Sequence, residues 1–80
     1  MATREEIDAR VKRALVAFGA PASDIVPDTK LETLDIDSLD IAELADILSD
    51  EMKIPIEARD FMEARTVGDA LAVIHARAGA

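Results

Sequence analysis

Ser38 is the residue of this chain whose type and setting could do chemistry. It stands in Leu34-Asp35-Ile36-Asp37-Ser38-Leu39-Asp40, where an irregular stretch gives way to an amphipathic helical pattern. A serine at the first position of a helix is exposed. The backbone N–H groups there are unpaired and lie at the positive end of the helix dipole, which favours an oxyanion or a phosphate. By residue type and position alone, an ordinary helix start accounts for Ser38 as well as a modified hydroxyl does. Three other chemistries fail on spacing. Asp35, Asp37 and Asp46 suit the first, third and twelfth positions of a calcium loop, but Leu39 and Asp40 then occupy the fifth and sixth, where an oxygen ligand and a glycine are needed. A serine hydrolase needs a nucleophile elbow and a partnering histidine. The sole histidine is His75, there is no Gly-x-Ser-x-Gly, and His75 falls off the apolar stripe of the last helix, where solvent is expected. A carboxylate pair for glycoside chemistry needs a sugar-sized cleft, which so short a chain is not expected to build. No catalytic residue and no metal set is expected.

The elements that must position Ser38 follow from periodicity. Thr3 with Glu6 three residues on forms a capping box. Ile7, Val11, Ala14, Leu15 and Phe18 then recur at helical spacing, and Gly19 and Pro21 stop the helix. Residues 19–36 carry Pro21, Ser23, Asp24, Pro27, Asp28 and Thr29, a long loop with turns, with Ile25, Val26, Leu31, Leu34 and Ile36 expected to cover the core. Loops of this length tend to be functional. A second helix is expected over Ser38–Met52. Asp37 caps it and Asp40 lies in its first turn. Ile41, Leu44, Ala45 and Leu48 form its buried face, and Asp40, Glu43, Asp46 and Asp50 its wet one. Pro55 closes that segment. A short, weakly patterned piece, Glu57 to Ala64, is anchored by Phe61 and Met62. Thr66 caps a last helix with the stripe Val67, Ala70, Leu71 and Ile74. The fold class expected is all-α: three main helices and a short one in a four-helix bundle with a long first loop.

Composition bounds the function. Eighty residues (8.6 kDa) make one domain spanning 1–80. Only two residues are aromatic, so the core must be aliphatic, and the lack of cysteine excludes disulfides, cysteine-ligated zinc and catalysis by a cysteine thiol. The longest apolar runs, Ala14–Phe18 and Ala70–Ile74, are too short to span a membrane. The charged start lacks the apolar stretch of a signal peptide, so the cytoplasm is the expected location. The net charge of −8 argues against nucleic acid and anionic membrane as partners. That charge is concentrated. Glu32, Asp35, Asp37, Asp40, Glu43, Asp46, Asp50 and Glu51 share a segment with no basic residue, while the rest of the chain balances. An acidic face is most simply a solubilising surface, but a balanced remainder makes this one a candidate docking surface for a basic partner.

Residues Leu34-Asp35-Ile36-Asp37-Ser38-Leu39-Asp40-Ile41-Ala42-Glu43-Leu44 resemble the Asp-Ser-Leu signature of acyl carrier proteins. The resemblance covers almost the whole chain, including Lys53-Ile54-Pro55 and Thr66-Val67-Gly68-Asp69. It implies that Ser38 carries 4′-phosphopantetheine on its hydroxyl and that acyl cargo rides on that arm as a thioester. The chain would then be a monomeric carrier, not an enzyme. Its partners would be a phosphopantetheinyl transferase and the acyltransferases, ketosynthases, reductases or ligases of a fatty-acid or polyketide pathway. Three positions depart from the usual pattern. Asp35 replaces a common glycine, and Asp is among the few residues that tolerate the left-handed conformation. Asp46 replaces a hydrophobic residue on the partner-facing side, and Ala42 a larger Val. A sheltered acyl chain would enter between the second helix and the last two. Ile41, Leu44, Leu48, Phe61, Met62, Val67 and Leu71 would line it, with Leu31 and Ile56 at its margins. The docking face would comprise Asp37, Asp40, Glu43 and Asp46, with Leu39 and Ala42 adding a small apolar contact. A Leu39 folded back onto the loop is the alternative. Other readings are a free-standing aminoacyl or peptidyl carrier, which shares the fold, and an unmodified acidic adaptor.

Overall fold

The computed structural model describes residues 3–79. Helix α1 spans Arg4–Ala17, α2 spans Ser38–Glu51 and α3 spans Val67–Ala78. Single turns of 3-10 helix lie at Ala22–Asp24, Leu31–Leu34 and Ala58–Phe61. The last of these is the short fourth element, and it is one tight turn where a short helix is expected. No strand occurs among the described residues; one isolated antiparallel bridge joins Lys30 and Thr66.

Every α-helix starts on a reciprocal cap. Thr3 and Glu6, Asp37 and Asp40, and Thr66 and Asp69 each exchange side-chain and backbone hydrogen bonds three residues apart. Each pair satisfies two N–H groups that the helix cannot, and one such cap contributes on the order of 1 kcal/mol. The helix ends use left-handed residues. Beyond α2, Lys53 adopts φ +57°, and the Ile54 N–H returns to the Leu48 carbonyl at 3.2 Å. This is the wrapped ending that glycine usually supplies, and the burial of both Ile54 and Leu48 holds Lys53 to it.

The core is aliphatic. Ile7, Val11, Ala14 and Leu15 of α1 meet Leu44, Ala45 and Leu48 of α2 and Val67, Ala70 and Ile74 of α3, with Phe61 as the one buried aromatic. The long connection contributes Leu31 and Leu34, which are buried, and Ile25 and Ile36, which are partly buried. Val26 does not join them. It is 48 % exposed, because its carbonyl accepts from the Thr29 N–H at 3.0 Å in a tight turn and the side chain faces out. Met62 is likewise at the surface, 83 % exposed. The 3-10 turn before it aims Phe61 inward and leaves Met62 on the outer side.

Side-chain ties join the elements at their edges. Arg10 forms a two-pronged pair with Glu51 at 2.9 and 3.0 Å, linking α1 to the end of α2. Arg77 reaches Asp60 at 2.6 Å, linking α3 to the last 3-10 turn. His75 is not the solvated residue that its place off the stripe suggests. Its side chain is only 15 % exposed, and its Nε2 lies 2.7 Å from Asp8 Oδ1 on α1. Such surface pairs contribute about 0–1 kcal/mol each.

Two expectations follow. Asp35 sits at φ +58°, ψ +31°, so Asp35→Gly should leave stability nearly unchanged, while Asp35→Val should lower it by about 1–2 kcal/mol in chemical denaturation. Asp60 has its carboxyl held below the ordinary range, first by the Glu57 N–H it accepts and then, against the cost of burial, by Arg77. A depressed folded-state pKa stabilises above the unfolded value of 3.8 and loses that contribution as pH falls below it. The gap in melting temperature between the wild type and Asp60→Asn should therefore be full near neutrality and close in acid.

Candidate functional site

The site begins one turn before α2. The left-handed Asp35 reverses the chain after Leu34, and its N–H bonds back to Glu32 and Leu31. The Ile36 N–H returns to the Leu31 carbonyl at 3.2 Å, and Asp37 then runs extended as the helix cap. Asp37 Oδ1 accepts the Asp40 N–H at 3.0 Å, and Asp40 Oδ2 accepts the Asp37 N–H at 3.3 Å. Ser38 is left as the first helical residue. It is exposed, and its hydroxyl makes no hydrogen bond among the described residues.

A cleft of about 650 Å³ opens beside it, lined by Lys30, Leu31, Glu32, Asp35, Ile36, Asp37, Ser38, Ile41, Phe61, Ala64 and Arg65. Of the residues expected around an acyl chain, Leu31, Ile41 and Phe61 reach this cleft. Leu44, Leu48, Ile56 and Val67 lie in the packed core. Leu71 and Val67 border a separate cavity of about 210 Å³ at α1, with Asp8, Val11, Lys12, Ile25 and Pro27. Met62 faces outward into a surface groove with Arg59 and Val73. The nine residues therefore do not line one chamber. Periodicity finds which side chains turn inward, but not which of them are already filled by neighbours.

Lys30, Ala64 and Arg65 escaped the sequence reading. Their place comes from pairing between distant segments: the Leu31 N–H donates to the Arg65 carbonyl at 2.9 Å, and the Val67 N–H to that of Thr29 at 2.9 Å. No local pattern announces such a contact.

The outer face of α2 is acidic and open. Leu39 is 78 % exposed, so it does not fold back onto the loop. Asp37, Glu43 and Asp46 are exposed, while Asp40 and Ala42 are half-buried. Glu51 does not belong to this face. It is turned to Arg10, whose guanidinium holds its carboxyl below the ordinary range.

The family model described as "phosphopantetheine attachment site" matches residues 10–74, a span that includes α2, the cleft and most of α1 and α3. No curated protein and no solved structure matches the chain. Covalently attached 4′-phosphopantetheine defines the family. The residues present fit such a group, because an exposed and unengaged serine hydroxyl opens beside a cleft that is part polar and part apolar. The match over most of the chain agrees with the three-helix architecture and with the resemblance to acyl carriers. The chain belongs to the phosphopantetheine attachment site family and is a carrier protein.

Proposed function

We propose that this protein is an acyl carrier of fatty-acid or polyketide type, that Ser38 holds the 4′-phosphopantetheine, and that residues 1–80 work as one carrier domain with no catalysis of its own. The observation that carries the reading is the free Ser38 hydroxyl at the tip of α2, on a chain matched to the family over residues 10–74. The group supplies a terminal thiol that takes acyl cargo as a thioester. The protein's own residues do the presenting. Asp35 and the Asp37–Asp40 cap fix where α2 begins, and so where the hydroxyl points. Both cap carboxylates are turned to backbone N–H groups, and the histidine is bound to Asp8.

Carriers of this family interact with such a transferase and with the enzymes of their pathway. Acyltransferases, ketosynthases, reductases and ligases are the proposed set here. A carrier must be read weakly by several enzymes, and long-range charge suits that, since it raises the on-rate without slowing release. Glu43 and Asp46 stand exposed on α2 with no ion pair among the described residues, and Leu39 stands exposed at its start. We assign them to the docking face with Asp37, Asp40 and Ala42. The concentration of acid on α2 favours this reading over an aminoacyl or peptidyl carrier.

Incubation with coenzyme A and a broad-specificity transferase should add one phosphopantetheinyl increment to the intact mass. Ser38→Ala should abolish it with helicity retained. An increment on the Ser38→Ala protein would sink the assignment. Reversal of Glu43 and Asp46 to Lys should slow association with the transferase roughly tenfold or more and flatten its dependence on salt. It should change thermal stability little; unaltered association kinetics with an intact circular dichroism spectrum would reduce the acidic face to a solvated surface.

A further inference from the structure

The cleft beside Ser38 has a charge pattern that carrying a hydroxyl does not require. Glu32, Asp35 and Asp37 line it together with Ser38, and so do Lys30 and Arg65, which stand at the Lys30–Thr66 bridge before α3. Both cations are mounted on held backbone, since Lys30 bridges Thr66 and the Arg65 carbonyl accepts the Leu31 N–H. Neither side chain makes an ion pair or a hydrogen bond among the described residues, in a chain of net charge −8. Arg65 does act at longer range on Asp69, whose carboxyl is held below the ordinary range first by the N–H groups of Arg65 and Thr66. Ile41 and Phe61 supply the apolar floor of the same cleft.

We propose that Lys30 and Arg65 form an anion subsite for the phosphodiester of the arm on Ser38, so that the arm rests over Ile41 and Phe61 instead of standing free in solvent. The inference rests on Ser38 being the attachment point. A phosphodiester on Ser38 adds a negative charge to a cleft that three carboxylates line, and like charges in one cleft are unfavourable unless cations share it. Lys30 and Arg65 supply that compensation across the same cleft. The phosphate is favoured over a carboxylate at the far end of the cargo because its bond to Ser38 keeps it at the cleft whatever the arm carries. With the phosphate held, the geminal methyl groups next to it meet the apolar floor.

The test uses protein loaded with isotope-labelled pantetheine, the loading being verified by intact mass. Nuclear Overhauser contacts are expected from the geminal methyl protons of the arm to the Phe61 ring and Ile41 methyls, together with shifts of the Arg65 Nε–H and Lys30 Nζ resonances between unmodified and modified protein. In the Lys30→Gln/Arg65→Gln variant those contacts should be lost while amide resonances remote from the cleft stay in place. The charge-conserving Lys30→Arg/Arg65→Lys variant should restore them. In the wild type they should also fade near ~1 M salt, where the screening length is about 3 Å. Loaded wild type without the contacts, or contacts unchanged in the Gln variant, overturns the subsite and leaves Ser38 as the carrier residue. Arg65 and Lys30 shifts that appear only with a dicarboxylic cargo also overturn it, assigning the cations to the cargo. A missing mass increment overturns the attachment reading and the subsite with it.

Discussion

Three backbone hydrogen bonds, between the long first connection and the start of α3, set the rest of the molecule. The Leu31 N–H donates to Arg65, the Val67 N–H to Thr29 and the Gly68 N–H to Pro27, all at 2.9 Å. They stitch an irregular stretch to a helix that begins more than thirty residues later in the chain. Gly68 is needed there because a Cβ would stand 3.1 Å from the Pro27 carbonyl oxygen and 3.3 Å from the Pro27 side chain. With the stretch held, Leu31 and Leu34 can be buried and Asp35 can turn. The Asp37 cap then starts α2 with Ser38 at its tip. The stitch also brings Lys30 and Arg65 to the cleft that Ser38 borders.

The acids of this protein divide into two groups with different work. Asp37, Asp40, Glu51, Asp60 and Asp69 are engaged with backbone N–H groups or guanidinium groups and hold elements together. Glu43 and Asp46 have no such partner among the described residues and face solvent on α2. A count of charge treats the two groups alike. Reversal of the first would cost stability along with any change in recognition, so reversal of the second isolates recognition.

A core with one buried aromatic and many branched aliphatics suits a carrier that must fold from so few residues. Such side chains fill space at helix crossings without the large fixed shapes that rings impose. The helices' inward aliphatic side chains are buried, and the cleft beside Ser38 opens at the junction of α2 with the last 3-10 turn.

The local sequence determined the three helices, their reciprocal caps and the place of Ser38 at a helix start. Each of these depends on residues within four positions of one another, where hydrogen-bond geometry and side-chain period act directly. The signature around Ser38 was legible for the same reason. Tertiary structure alone decided that Lys53 would wrap the end of α2, that His75 would turn to Asp8, and that Val26 and Met62 would stay outside. It also decided that Leu44, Leu48, Ile56 and Val67 would be packed core while Leu31, Ile41 and Phe61 reached the cleft. Those outcomes depend on which distant side chains fill the same volume first, and no pattern along one segment encodes that competition. The pairing of Lys30 with Thr66 belongs with them, because a contact between residues so far apart in sequence exists only once the core has closed beneath both.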